Sequence, residues 1–167
     1  MDQLSRIIAL LAVTTLLTVS QLPTPVSAQQ GHSTNLEINL PEVVAEVKAA
    51  HDRYNDAIND GDIAVINSTF YNDNRTIRFG QADMEYSYNE IEDFRKAAQP
   101  LVPPRINIKT VITTYGRDFA TASLLTHRAN QPGKVGRQMQ TWVRFPEGWR
   151  VVAAHVSTID EPSAERK

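Results

Sequence analysis

Helices packed on one face of a curved, mainly antiparallel sheet, an α+β fold, is the architecture this sequence predicts. Two observations carry it. Apolar residues recur at helical spacing between Pro41 and Ala98, and they alternate with polar residues from Arg105 onward. Helices that come first and strands that follow segregate into two layers rather than interleaving. A long first helix lying across a strongly curved sheet closes a half-open cone, whose wide end forms a ligand cavity.

The elements follow in order. Asn39-Leu40-Pro41-Glu42 starts a helix, because Pro suits the first turn and an acid there complements the helix dipole. Val44, Val47, His51, Tyr54 and Ile58 then make one amphipathic stripe, and Gly61 ends it. Asp62 caps a shorter helix carrying Val65, Ile66, Thr69 and Phe70. Asn72-Asp73-Asn74 turns the chain into a short strand over Thr76–Phe79, which Gly80 to Asp83 return into another near Met84–Tyr86. Ser87-Tyr88-Asn89-Glu90 reads as a capping box for a third helix with Ile91, Phe94 and Arg95, closed by Pro100, Pro103 and Pro104. Four strands are expected after that, near 105–112, 119–127, 137–145 and 149–158. Turns at Gly116-Arg117-Asp118, at Asn130 to Gly133 and at Pro146-Glu147-Gly148 separate them.

The ends of the chain differ from this domain. Arg6, the apolar run Ile7–Leu17 and the small-residue site Val26-Ser27-Ala28 have the layout of a secretory signal cut after Ala28. The run is shorter than the ~20 residues a membrane span needs, so no stable insertion is expected after cleavage. The organisation expected is therefore a signal peptide at 1–28, a flexible arm at 29–38, the α+β domain at 39–160 and a charged tail at 161–167. Localisation is expected to be periplasmic or secreted. With no cysteine, the chain can form neither a disulfide nor a thiolate site. A formal net charge of −2 without a basic stripe argues against nucleic acid as a partner. Arginines outnumber lysines 12 to 5, and Arg is the residue whose planar fork matches a carboxylate.

Several residues could carry chemistry. Arg78 alternates with Ile77 and Phe79, and is either a solvated charge or a guanidinium aimed into the cavity. Tyr54 lies on the buried helix stripe, as a packing residue or as an inward phenol able to donate a proton. His155 and Ser157 continue the face of Trp149, Val151 and Ala153, so the pair could line the cavity rim, without an acid spaced for a triad. Gln138 and Gln140 share a face with Trp142 and either read a polar ligand or face solvent. His32, His51, His127 and His155 are scattered outside any ligand-spaced motif, so neither a metal nor a cofactor is expected.

The runs "YNDAINDGDIAVINSTFYNDNRTIRFG", "FRKAA", "TYGRDFATAS" and "GRQMQTWVRFPEGWRVVAAHVS" together resemble the AtzH-like family, over roughly residues 41–160. That family includes proteins associated with oxalurate catabolism and belongs to the nuclear-transport-factor-2-like superfamily of cystatin-like cones. The resemblance implies three helices on a curved sheet and a cofactor-independent, decarboxylating amidohydrolase activity on dicarboxylated urea. It implies Tyr54 and Arg78 as catalytic residues, with Arg95 kept as a further guanidinium for substrate. A small carboxylated molecule is the partner implied. The alternative from another class is a cone that only binds a small carboxylate, or one that serves assembly as a homodimer or higher homo-oligomer.

Overall fold

The computed structural model describes residues 36–98 and 104–162. The expected signal peptide, residues 29–35 of the arm, Pro100 and Pro103, and the tail from residue 163 lie outside the described residues. Helix α1 (Pro41–Asp60) begins with Pro in its first turn and ends at Gly61 in the left-handed region, φ 75°. Its buried face is Val43, Val47, His51, Tyr54 and Ala57; Val43 takes the place expected for Val44, which is only half-buried. Asp62 caps α2 (Ile63–Thr69) by accepting from the Val65 N–H at 3.0 Å.

Strands β1 (Ile77–Phe79) and β2 (Met84–Glu85) form a short hairpin. Helix α3 (Tyr88–Ala97) follows, its Ser87 cap accepting from the Glu90 N–H at 3.2 Å. Glu90 reaches back to the Tyr86 N–H, at 2.7 Å, so the capping box closes one residue further out than the sequence pattern implies. Long strands β3 (Arg105–Tyr115), β4 (Phe119–Arg128), β5 (Lys134–Phe145) and β6 (Gly148–Asp160) complete one six-stranded sheet of order β2-β1-β6-β5-β4-β3. Every neighbouring pair is antiparallel except β1 and β6, which run parallel with Arg78 opposite Ala154. This parallel pair ties the short, otherwise marginal strand that carries Arg78, second from the sheet's edge, to the long β6.

The core lies between α1 and the inner face of the sheet. Ala120, Ala122 and Ala154 supply small side chains beside Trp142 and Val151, against Val43, Val47, Tyr54 and Ile66. The arm is not loose throughout. Gly116 N–H donates to the Glu37 carbonyl at 2.8 Å and Asn39 N–H to the Thr114 carbonyl at 3.1 Å, so residues 37–39 extend the sheet edge.

One departure from simple alternation matters for the site. Thr141 pairs with Ala153 but Trp142 pairs with Val151, which leaves Val152 as an extra residue in β6. Such a bulge inverts which face each later residue takes. Trp149 and Val151 point to the core before it, and Ala154 does so after it. His155 and Ser157, expected on the Trp149 face, are thereby turned to the outer face of the sheet.

Candidate functional site

A cavity of about 280 Å³ opens between the helices and the sheet. Tyr54 and Ile58 reach it from α1, Arg78 from β1, Phe94 and Arg95 from α3, and Gln138 from β5. The burial of its side chain answers whether Arg78 is a surface charge. Its side chain keeps only 15 % of its area exposed, and Phe94 lies over the guanidinium at 4.9 Å. The Nη1 atom donates to Asp83 and, at 3.0 Å, to Glu85 Oε2. Arg78 is thus an inward guanidinium already facing two carboxylates from β2 and the turn before it. Burial pushes the Glu85 carboxyl above the usual carboxylate range; Arg78 opposes this and the contact with Asp83 reinforces it.

Arg95 is buried on the last turn of α3. Its Nη1 donates to Asn67 Oδ1 at 2.8 Å and to the Ile66 carbonyl at 3.4 Å, and the guanidinium lies 4.3 Å over the Phe70 ring. Burial lowers its pKa below the ordinary arginine value, with the Tyr54 phenol acting in the opposite sense. Tyr54 itself is 4 % exposed, its ring tilted against Phe70 at 6.0 Å. The phenol acts electrostatically on Arg105 as well as on Arg95.

Two arginines in this wall were not singled out from the sequence: Arg105 and Arg128. They face each other at the start of β3 and the end of β4. Arg105 is 8 % exposed, donates from Nη1 to Gln138 Oε1 at 3.0 Å and from Nη2 to Asn55 Oδ1. Asn59, one turn after Asn55, holds the Arg105 backbone on both its N–H and its carbonyl, at 3.0 and 3.2 Å. Burial lowers the pKa of both Arg105 and Arg128. The sequence signal was their position at matching ends of adjacent strands, together with the excess of arginine.

The other expected residues divide. Tyr54, Arg78, Arg95 and Gln138 come together around the cavity. Gln140 is on the same inner face but lies deeper, 1 % exposed beneath α1, and neither of its amide atoms has a hydrogen-bond partner. His155 and Ser157 are on the opposite face, where His155 is exposed beside Phe79 and Ser157 accepts from Arg137 Nε at 3.2 Å. Among the described residues no group of three His, Asp or Glu side chains is placed to hold a metal ion.

Four guanidiniums, one carboxylate and one phenol thus line a cavity of small-molecule size. The fold and this cavity define a cone of the nuclear-transport-factor-2-like, cystatin-like class. Within that class the chain belongs to the AtzH-like family, whose sequence profile matches residues 36–162. A protein of unknown function from Pectobacterium atrosepticum is 46 % identical, with 74 % of this chain and 95 % of that chain covered at a TM-score of 0.71. A cystatin-like fold protein from Burkholderia xenovorans is 40 % identical, covering 76 % and 99 %, at a TM-score of 0.73. A nuclear-transport-factor-2-like superfamily protein from Salmonella enterica shares the fold at 22 % identity, covering 74 % and 96 %, with a TM-score of 0.57. No curated protein matches the chain.

Proposed function

We propose that the protein is an exported hydrolase of small carboxylated ureas or amides that works without metal or cofactor. The observation that carries this reading is the set of Arg78, Arg95, Arg105 and Arg128 around one cavity with Tyr54. Buried cations are costly unless a counter-charge neutralises them. Arg105 is bonded to the neutral oxygens of Asn55 and Gln138, so an anionic ligand supplies what the fold leaves out. The family resemblance favours a carboxylated urea as that anion, with Tyr54 and Arg78 in its chemistry.

The arginines would hold the carboxylates and so fix the ligand against Tyr54. In the reaction, the bond between a urea nitrogen and its carboxyl carbon breaks. The electron pair stays on nitrogen, which takes a proton from the Tyr54 hydroxyl, and the carbon leaves as carbon dioxide. Solvent then returns the proton to the phenolate.

The second reading is a cone that holds a small carboxylate without turnover. Its support is that Asp83 and Glu85 already occupy Arg78 in the structure. One assay separates the two: calorimetric titration with carboxylated ureas, run alongside carbon dioxide release. Binding with release supports the hydrolase, and binding without release supports the carboxylate carrier. Failure of every small carboxylate to bind would remove both. Export is tested by sequencing the N-terminus of protein recovered from the producing cell. Gln29 is the expected first residue, and Met1 on the mature chain would refute cleavage.

A further inference from the structure

Four arginines alone would accept almost any small polyanion, which makes the single acid in the wall informative. Among the described residues Asp83 is the only carboxylate lining the cavity. It is seated with care. A Cβ built on Gly80 would meet Asp83 Oδ1 at 2.1 Å and Oδ2 at 2.3 Å, so the carboxylate fills the space over that glycine. Gly80 is not among the glycines with positive φ, so its backbone would admit other residues. The missing side chain therefore serves the Asp83 carboxylate rather than the turn. Arg78 holds one oxygen from the β1 side, and the Gly80 N–H bonds the Asp83 carbonyl at 2.9 Å.

We propose that Asp83 reads an N–H on the ligand, selecting carboxylates that carry an amide or urea N–H over those that do not. This deepens, and rests on, the carboxylate-binding reading above. A carboxylate offers about four lone-pair positions, and the bonds of Asp83 to Arg78 and to the Glu85 carboxyl use only part of them. Facing a ligand carboxylate, Asp83 repels it. Facing a ligand N–H, it makes a charge-assisted bond within a wall otherwise built of donors. A methylene in the same place leaves the ligand-facing lone pair of the partly buried acid without a donor, and a site of this kind rejects the analogue that lacks the hydrogen-bonding group. The arginines thus supply affinity for charge, and Asp83 supplies the choice of nitrogen.

The test uses two dianions of equal length, N-oxalylglycine and 2-oxoglutarate, which differ by N–H in place of CH₂. Calorimetry on the full chain at pH 7 is expected to favour N-oxalylglycine by about tenfold or more, the value of one charged hydrogen bond. Asp83→Ala should bring the two affinities together. Gly80→Ala should do the same while keeping both Asp83 and Arg78, because the new methyl displaces only the far end of the Asp83 side chain. That variant keeps the test valid if Asp83→Ala does not fold. Equal binding of both compounds by the wild type overturns the role of Asp83 and leaves the carboxylate site standing. A preference that survives in both variants overturns it too, as does binding that appears only once Asp83 is displaced. If neither compound binds to wild type or variants, the carboxylate reading falls and this inference with it.

Discussion

Tyr54 and His51 lie one turn apart on α1, and burial gives them different tasks. The Tyr54 phenol acts electrostatically on both Arg95 and Arg105, while its ring packs on Phe70. Tyr54→Phe keeps the ring, so the fold should hold and ligand affinity should drop by no more than about 0.5–1.5 kcal/mol. Turnover should fall by about 10²–10⁴ if the phenol supplies the proton. Measured carbon dioxide release equal to wild type would return Tyr54 to packing alone. His51 is fully buried against Trp142, with its ring centroid 6.3 Å away, and the Asn55 amide donates to Nδ1 at 3.0 Å. Burial pushes its pKa down to about 4, against the pull of Asp52 and aided by Arg105. Because the folded value is the lower one, His51 costs nothing above pH 6.5. Stability is lost as pH falls from there towards 4, by about 3 kcal/mol in all. The melting temperature should decline across that window, and His51→Phe should flatten the decline. An unaltered slope in the variant would exclude His51 as its source.

Helix α2, which lines the cavity only through Ile66, shows how a short element sets the site. It has seven residues, too few to be stable alone, yet its Asn67 and the Ile66 carbonyl hold the Arg95 guanidinium. Asp62→Ala removes its cap, which should cost about 1 kcal/mol, read as a lower urea midpoint at unchanged slope. Loosening α2 should also weaken carboxylate binding through Arg95; intact binding would show that Arg95 is held by α3 alone. The cap was legible in the sequence because Asp before an apolar helical run has one dominant use. The helices and long strands were legible for the same reason: their periods differ and their stops are Gly and Pro. The Val152 bulge was not, since two successive valines and two alanines carry no mark of an inserted residue. That single insertion moved His155 and Ser157 out of the site. Arg105 was hidden differently, because its role depends on Asn55 and Asn59 fifty and forty-six residues earlier in the chain.

At the scale of the whole molecule, the outer face of the sheet is the part that the described residues leave uncovered. Register places Val111, Ser123, Met139 and His155 in one row across β3, β4, β5 and β6 on that face. Met139 is 56 % exposed, and Ile106, on the same face of β3, is 69 % exposed. Exposed apolar side chains on a sheet face are what a partner surface would cover, and a second copy of the chain is the occupant we propose. A homodimer of this kind leaves both cavities open, because the ligand site and the outer row lie on opposite faces. Met139→Lys puts a charge near the centre of the row, where burial in an interface would be costly. In the monomer the same change touches solvent and should alter stability by less than about 0.5 kcal/mol. Light scattering should therefore find a dimer for wild type and a monomer for Met139→Lys, with similar melting temperatures and carboxylate affinity. A wild-type monomer would end the assembly proposal. A Met139→Lys dimer would move the interface to another surface and leave the outer row as ordinary exposed side chains.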